Sequence, residues 1–201
     1  MTAVILGTVA AGLIVIGWLD QTIELSRRRM LLIAIAGIMG NWLLIWRMES
    51  QDFSSRILMA VILGCLLLAC VTDLAICQVH NFVWWFGGIA AGLLLWAELK
   101  RAPVAVSNVL PELITFCVIQ FVLFSRLYGR ADCYAFCVCA GTEAGRGMGM
   151  RDFLEHMLFS FLLLTVVQAF RKNISLKGNL KEPVPFLPYI TAAFYLLLFC
   201  K

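Results

Sequence analysis

The sequence predicts an all-α fold, a polytopic integral membrane helix bundle of about eight transmembrane segments. Three observations lead there. The chain of 201 residues is 62% hydrophobic and 14% charged, more apolar side chain than one soluble core of that size can hide. The apolar residues are gathered into runs near the length that crosses about 30 Å of hydrocarbon as a helix. The basic residues are scattered among the connections between runs.

Taken in order, the first run, Ala3 to Trp18, has nothing basic before it and no small-residue cleavage site after it, so it reads as a retained span rather than a signal peptide. Leu31 to Trp46 is the second. With the basic loop Arg27, Arg28 and Arg29 between them, these two make a unit of residues 1–56. A six-helix core over residues 57–201 follows, with runs at Ile57 to Cys77, Phe82 to Leu99, Leu110 to Tyr128, Cys133 to Ala140, Phe153 to Phe170 and Pro185 to Cys200. Cys133 to Ala140 is too short to span. It either extends over Asp132 and the following glycine-rich loop or is a helix shielded by its neighbours at membrane depth. Gly88-x-x-x-Gly92 in the fourth run is the spacing that permits close helix contact, and the alternating Gly145, Gly147 and Gly149, with no strand before them, read as a flexible connection rather than a phosphate cradle.

Orientation follows from the excess of Lys and Arg expected in cytoplasmic loops. With the N-terminus outside, the inner loops hold Arg27, Arg28, Arg29, Arg126, Arg130, Arg171, Lys172, Lys177 and Lys181, nine basic residues against seven on the other side. This topology puts Asp73, closing the third run, and Asp132, at the head of the sixth, on one membrane face, the cytoplasmic one. On that face the glycosylation triplet Asn173-Ile174-Ser175 goes unused. A net charge of +4 spread over loops suits anionic lipid headgroups, so the lipid bilayer is the expected partner and nucleic acid is not. The eight cysteines lie almost all inside apolar runs, where Cys behaves as a small hydrophobe. Cys133, Cys137 and Cys139 lack the paired C-x-x-C spacing and the His or acidic partners of a metal site, and no metal or cofactor is expected.

Asp73 and Asp132 are the chemical core of the reading, because a carboxylate at the edge of a span is costly when charged unless it is paired, hydrated or employed. The plainer alternative for Asp132 is an acid that favours the start of a helix. Two carboxylates brought together share a proton. Such a pair can hydrolyse a peptide, one deprotonating water while the other polarises the carbonyl and then protonates the amine.

Around these two residues the chain resembles the type IV prepilin peptidases, membrane aspartic proteases with a G-x-G-D-type motif. Their first motif is an Asp at the end of a span followed eight positions later by the Asn of I-P-N. Asp73 through Asn81 keeps both residues and the spacing, with His80 in place of Pro. The second motif is matched by Gly129-Arg130-Ala131-Asp132, with Ala131 for the second Gly and Tyr134 where the family often has Lys. A third likeness is Val184-Pro185-Phe186-Leu187-Pro188-Tyr189, similar to the family's I-P-F-G-P-F, which reads here as a packing motif that starts the last span. The three lie in order between Ile57 and the C-terminus. The resemblance implies an aspartic endopeptidase with Asp73 and Asp132 as catalytic residues and Asn81, His80, Gly129, Arg130, Ala131, Pro185, Phe186 and Pro188 as motif support. It implies a prepilin-like protein substrate cut after its basic leader at the cytoplasmic face of the bacterial plasma membrane. Bifunctional members carry a soluble insert with paired C-x-x-C motifs between N-terminal spans; with none here, methyltransferase activity is not expected.

The remaining candidates read more plainly. His80 is a loop residue at the proposed site. Asn81 orients backbone or substrate, Arg130 meets lipid phosphate, and Glu155-His156 fits the electrostatics of a helix start. Two competing functions remain: a catalytically degenerate relative serving pilus or secretion assembly, and a small transporter, for which acids near mid-bilayer and a repeated half-structure are expected.

Overall fold

The computed structural model describes residues 52–174 and 185–200, together with Ile5 and Val9. Among them the chain is helical without strands: α1 (Phe53–Ile76), α2 (Asn81–Arg101), α3 (Pro103–Val122), a 3₁₀ turn (Phe124–Arg126), α4 (Arg130–Gly145), α5 (Met150–Ile174) and α6 (Leu187–Cys200). Four segments are long and apolar enough to cross a membrane: Phe53–Leu74, Asn81–Arg101, Pro103–Arg126 and Met150–Phe170.

The expected count of eight spans is therefore not supported. α4 has 16 residues and α6 has 14, rising only about 24 and 21 Å, short of the roughly 30 Å of hydrocarbon. The two expected N-terminal spans, the arginine loop between them, and Ser175, Lys177 and Lys181 lie outside the described residues, apart from helical Ile5 and Val9. The run expected at Cys133 to Ala140 is longer than read, extending to Arg130 and Gly145 and taking in Asp132. α3 starts seven residues before the expected Leu110. Pro103 sits in its first turn, where a missing N–H costs nothing, and Pro111 is carried within the helix.

α4 is the centre of the bundle and packs against each of the other five helices. Between Asp132 and Gly145 every residue except Tyr134 and Cys137 is buried, and most are Ala, Cys, Gly or Thr. Small side chains let backbones approach, the main source of helix association where lipid is as apolar as the helix face. A Cβ placed on Gly141 would sit 3.6 Å from the Ala91 Cβ, and one on Gly87 would sit 3.5 Å from the Cys65 Cβ. Gly88 and Gly92 differ: a Cβ on either meets nothing within 4 Å. The close contact expected of Gly88-x-x-x-Gly92 is made instead by the neighbouring Gly87 and Ala91, one position round the helix.

α2 shows both its faces. Val83, Trp84, Gly87, Ala90, Ala91 and Leu94 are buried, while Trp85, Phe86, Ile89, Leu93 and Trp96 are exposed, a large apolar outer face suited to hydrocarbon rather than water. The helices alternate in direction. Ser55 near the start of α1 donates to Glu98 Oε1 near the end of α2 at 3.2 Å, and Arg101 pairs with both Glu98 and Asp52. α3 and α5 run side by side in the same sense, with the Phe116 and Phe153 rings 5.4 Å apart. The end of α1 and the starts of α4 and α6 thus come to one end of the bundle.

The contrast between the two glycine pairs is testable in detergent. Gly141→Leu overpacks the α2–α4 contact and lowers stability by about 1–3 kcal/mol, seen as a fall of several degrees in apparent Tm. Gly92→Leu, on an open surface, leaves Tm close to that of the parent.

Candidate active site

Asp73 lies in the last turn of α1 and is 8% exposed. Its helix ends three residues on, at Ile76, and the left-handed φ of 52° at the next residue, Cys77, turns the chain as the Cys77 amide donates to the Asp73 carbonyl at 2.9 Å. The Asp73 carboxylate is met by the start of α6: Leu187 N–H donates to Oδ2 at 3.1 Å, and Phe186 N–H donates as well. Pro185 and Pro188 flank these two and have no N–H. Residues 185–188 therefore own only two amide donors, and both go to Asp73. A helix N-terminus facing a carboxylate stabilises its charge. One turn further into the bundle, Cys70 Sγ donates to Thr191 Oγ1 at 3.0 Å and continues the α1–α6 seam.

Asp132 is the third residue of α4 and is 9% exposed. Gly129 caps this helix with φ 104° and ψ 158°, a conformation essentially confined to glycine. That turn sets the acid back over its own loop: a Cβ at Gly129 would lie 3.6 Å from Asp132 Oδ2. Ala131 is half-buried and Arg130 exposed, and Arg130 forms no ion pair among the described residues. The side chain between the motif positions is thus open to the surface.

Phe186 joins the two acids. Its amide serves Asp73, and its ring lies in an open cleft of about 360 Å³ shared with Asp132, Phe124, Leu127, Tyr128, Phe161 and Leu164. The Phe186 ring sits 5.0 Å from that of Phe161 and 5.8 Å from that of Tyr128. The charge of Asp73 is felt at Asp132. Burial first, and that neighbouring carboxylate second, push the Asp132 carboxyl up to about 7. Tyr128 is anchored from behind, its hydroxyl donating to the side chain of fully buried Gln120. The Gln120 carbonyl in turn accepts from Cys133 Sγ at 3.2 Å.

His80 caps the start of α2 and stacks on Phe82 at 6.1 Å. Asn81 opens α2 and is exposed at the mouth of a second, apolar groove between α2, α3 and α4. Neither hydrogen-bonds an aspartate among the described residues. Tyr134 packs between Trp84 and Phe121, with ring separations of 6.3 and 5.0 Å.

Three features escape sequence reasoning. The proline motif at 185–188 does more than start a helix, since it supplies the donors to Asp73. Gln120 braces the cleft, and its only signal is a polar residue inside an apolar run. The doublet Glu155-His156 divides: Glu155 pairs with Arg151 Nε at 2.9 Å, as fits a first turn, whereas His156 is buried against Glu143. No family model, curated protein or solved structure matches this chain.

The backbone at Gly129 gives a direct check on how Asp132 is held. Gly129→Ala forces an L-residue into that conformation and costs about 1–3 kcal/mol, read as lowered thermal stability of the purified protein.

Proposed function

We propose that this protein is a membrane aspartic endopeptidase of prepilin-peptidase type, cleaving the basic leader of a prepilin-like substrate at the cytoplasmic membrane face. The observation that carries the reading is the junction at Phe186, where one residue's amide serves Asp73 and its ring shares a cleft with Asp132. Two acids from separate helices lie close enough for the charge of one to act on the other, in an order and spacing that resemble the family's motifs.

The acids divide the work by environment. Asp73, facing two amides, is the carboxylate that takes a proton from water. Asp132, pushed up to about 7, holds the proton that polarises the scissile carbonyl. The water oxygen bonds to the carbonyl carbon, the C–N bond breaks, and the amine leaves with a proton from the acid pair. The reading takes the four long apolar helices as spans, with α4 and α6, too short to cross, tolerated at membrane depth because neighbouring helices enclose them. A cytoplasmic dyad follows from the nine-to-seven bias of basic residues. The second reading, a catalytically degenerate relative acting in pilus or secretion assembly, draws on Tyr134, built into an aromatic stack where the family often has Lys.

Co-expression with a prepilin-like substrate decides between them. The parent is expected to shorten the substrate by its leader, and Asp73→Asn and Asp132→Asn each reduce cleavage by about 10²–10⁴-fold. Equal cleavage by the variants defeats the dyad, and a folded parent inert on several pilins favours the assembly role.

The pH profile tests the division of labour. Asp132 is neutral below about 7 and charged above it, so cleavage is expected to decline as pH rises through that value, about tenfold per unit beyond it. A rate still rising from pH 7 to 9 contradicts Asp132 as the acid.

A further inference from the structure

Eleven residues beyond Asp132, about 16 Å along the axis, α4 carries an acid that the proposed hydrolysis does not use. Glu143 is fully buried, and His156 of α5, 1% exposed, holds Nδ1 3.1 Å from its Oε1. The other ring nitrogen, Nε2, stands 2.9 Å from the Ile190 carbonyl of α6. The rings of Phe136 and Phe194 close on the imidazole at 5.4 and 5.7 Å. Ionisable residues this deep in an apolar bundle are costly unless they serve a purpose.

Proton placement follows from the partners. A carbonyl only accepts, so Nε2 carries a proton and donates it to Ile190. The Nδ1–Oε1 contact then holds one proton, on either side, and the pair is neutral overall in both arrangements, which lowers the cost of burying it. From Ile190 the bonds run on: its own amide donates to the Phe186 carbonyl at 3.3 Å, and the Phe186 amide donates to Asp73. Hydrogen bonds thus run from His156 on α5 through the first turn of α6 to the carboxylate on α1, and Glu143 on α4 stands at ion-pair distance behind the imidazole.

We infer that Glu143 and His156 form a positioning pair that holds the first turn of α6 in register, and with it the two amides that grip Asp73. Neither touches the reacting atoms. The structural part stands independently of the peptidase reading; only its consequence for cleavage rests on that reading.

Hydrogen exchange on the full chain in nanodiscs tests it. In the parent, the Phe186 and Leu187 amides are protected by Asp73. His156→Ala is expected to speed their exchange by about tenfold or more while α1 and α2 keep parental protection. His156→Gln, whose amide reaches the Ile190 carbonyl, and Glu143→Gln, whose amide satisfies Nδ1, stay within about threefold of the parent. Unchanged exchange at 186–187 in His156→Ala overturns the inference. So does uniform loss of protection across all helices in both His156 variants, which marks general unfolding instead.

Where the parent cleaves a leader, His156→Ala is expected to lower kcat by about ten- to a hundredfold with KM unchanged and His156→Gln to restore it. A cleavage-competent His156→Ala with unlocked amides removes the catalytic consequence. If exchange behaves as expected and the parent cleaves nothing, the pair's structural role stands and the peptidase reading falls.

Discussion

A carboxylate at the end of an apolar helix has to find donors, and Asp73 finds them in the first two amides of α6. Much of the bundle's arrangement depends on this contact. It fixes where α6 begins, since Pro185 and Pro188 leave no other amides in that stretch to compete. It joins the end of α1 to the start of a helix 114 residues later in sequence. It also turns the Phe186 side chain into the aromatic cleft beside Asp132. A packing motif and a charge-binding motif are here the same four residues.

The second constraint is the thinness of α4. Five neighbours can surround one helix only if its side chains are small, and the Ala-Cys-Gly-Thr composition of α4 meets that condition. The few large or charged residues on it then carry specific tasks: Asp132 at the cleft, Phe136 against His156, Glu143 in the buried pair. Because α4 lies against every other helix among the described residues, a shift in it moves both acids' surroundings together.

How far these features were legible in the sequence depended on whether they had a local signature. Helical class, the approximate positions of α1, α2 and α5, and the presence of both acids at one end followed from apolar runs and alternating direction. The apolar run of α4 stops at Ala140 in the sequence because its buried residues are small and weakly hydrophobic, whereas tertiary enclosure carries the helix on to Gly145. The apolar pattern of α3 begins only at Leu110 because Pro103 and Ser107 interrupt it without ending the helix. Gly88 and Gly92 matched a contact motif, yet the contact formed one position away, a choice set by helix rotation that spacing alone does not encode. The proline motif reads in the sequence as the start of the last helix, and the helix does begin within it; only the folded chain shows which carboxylate its amides face. Glu143 and His156, 13 positions apart, had no periodic relation to betray them.

The location of the acids bears on which chemistry the bundle can support. Mid-bilayer carboxylates suit ion or proton transfer across a membrane, where the group must be reached alternately from both sides. Asp73 and Asp132 instead sit at helix ends, each under one-tenth exposed, with Asp132 lining an open cleft. Burial keeps a proton on Asp132 near neutral pH, while the cleft beside it stays open. The turn at Cys77, the glycine cap at Gly129 and the proline-flanked start of α6 all act at this one end of the bundle, and together they hold both acids at helix ends with less than a tenth of their surface exposed.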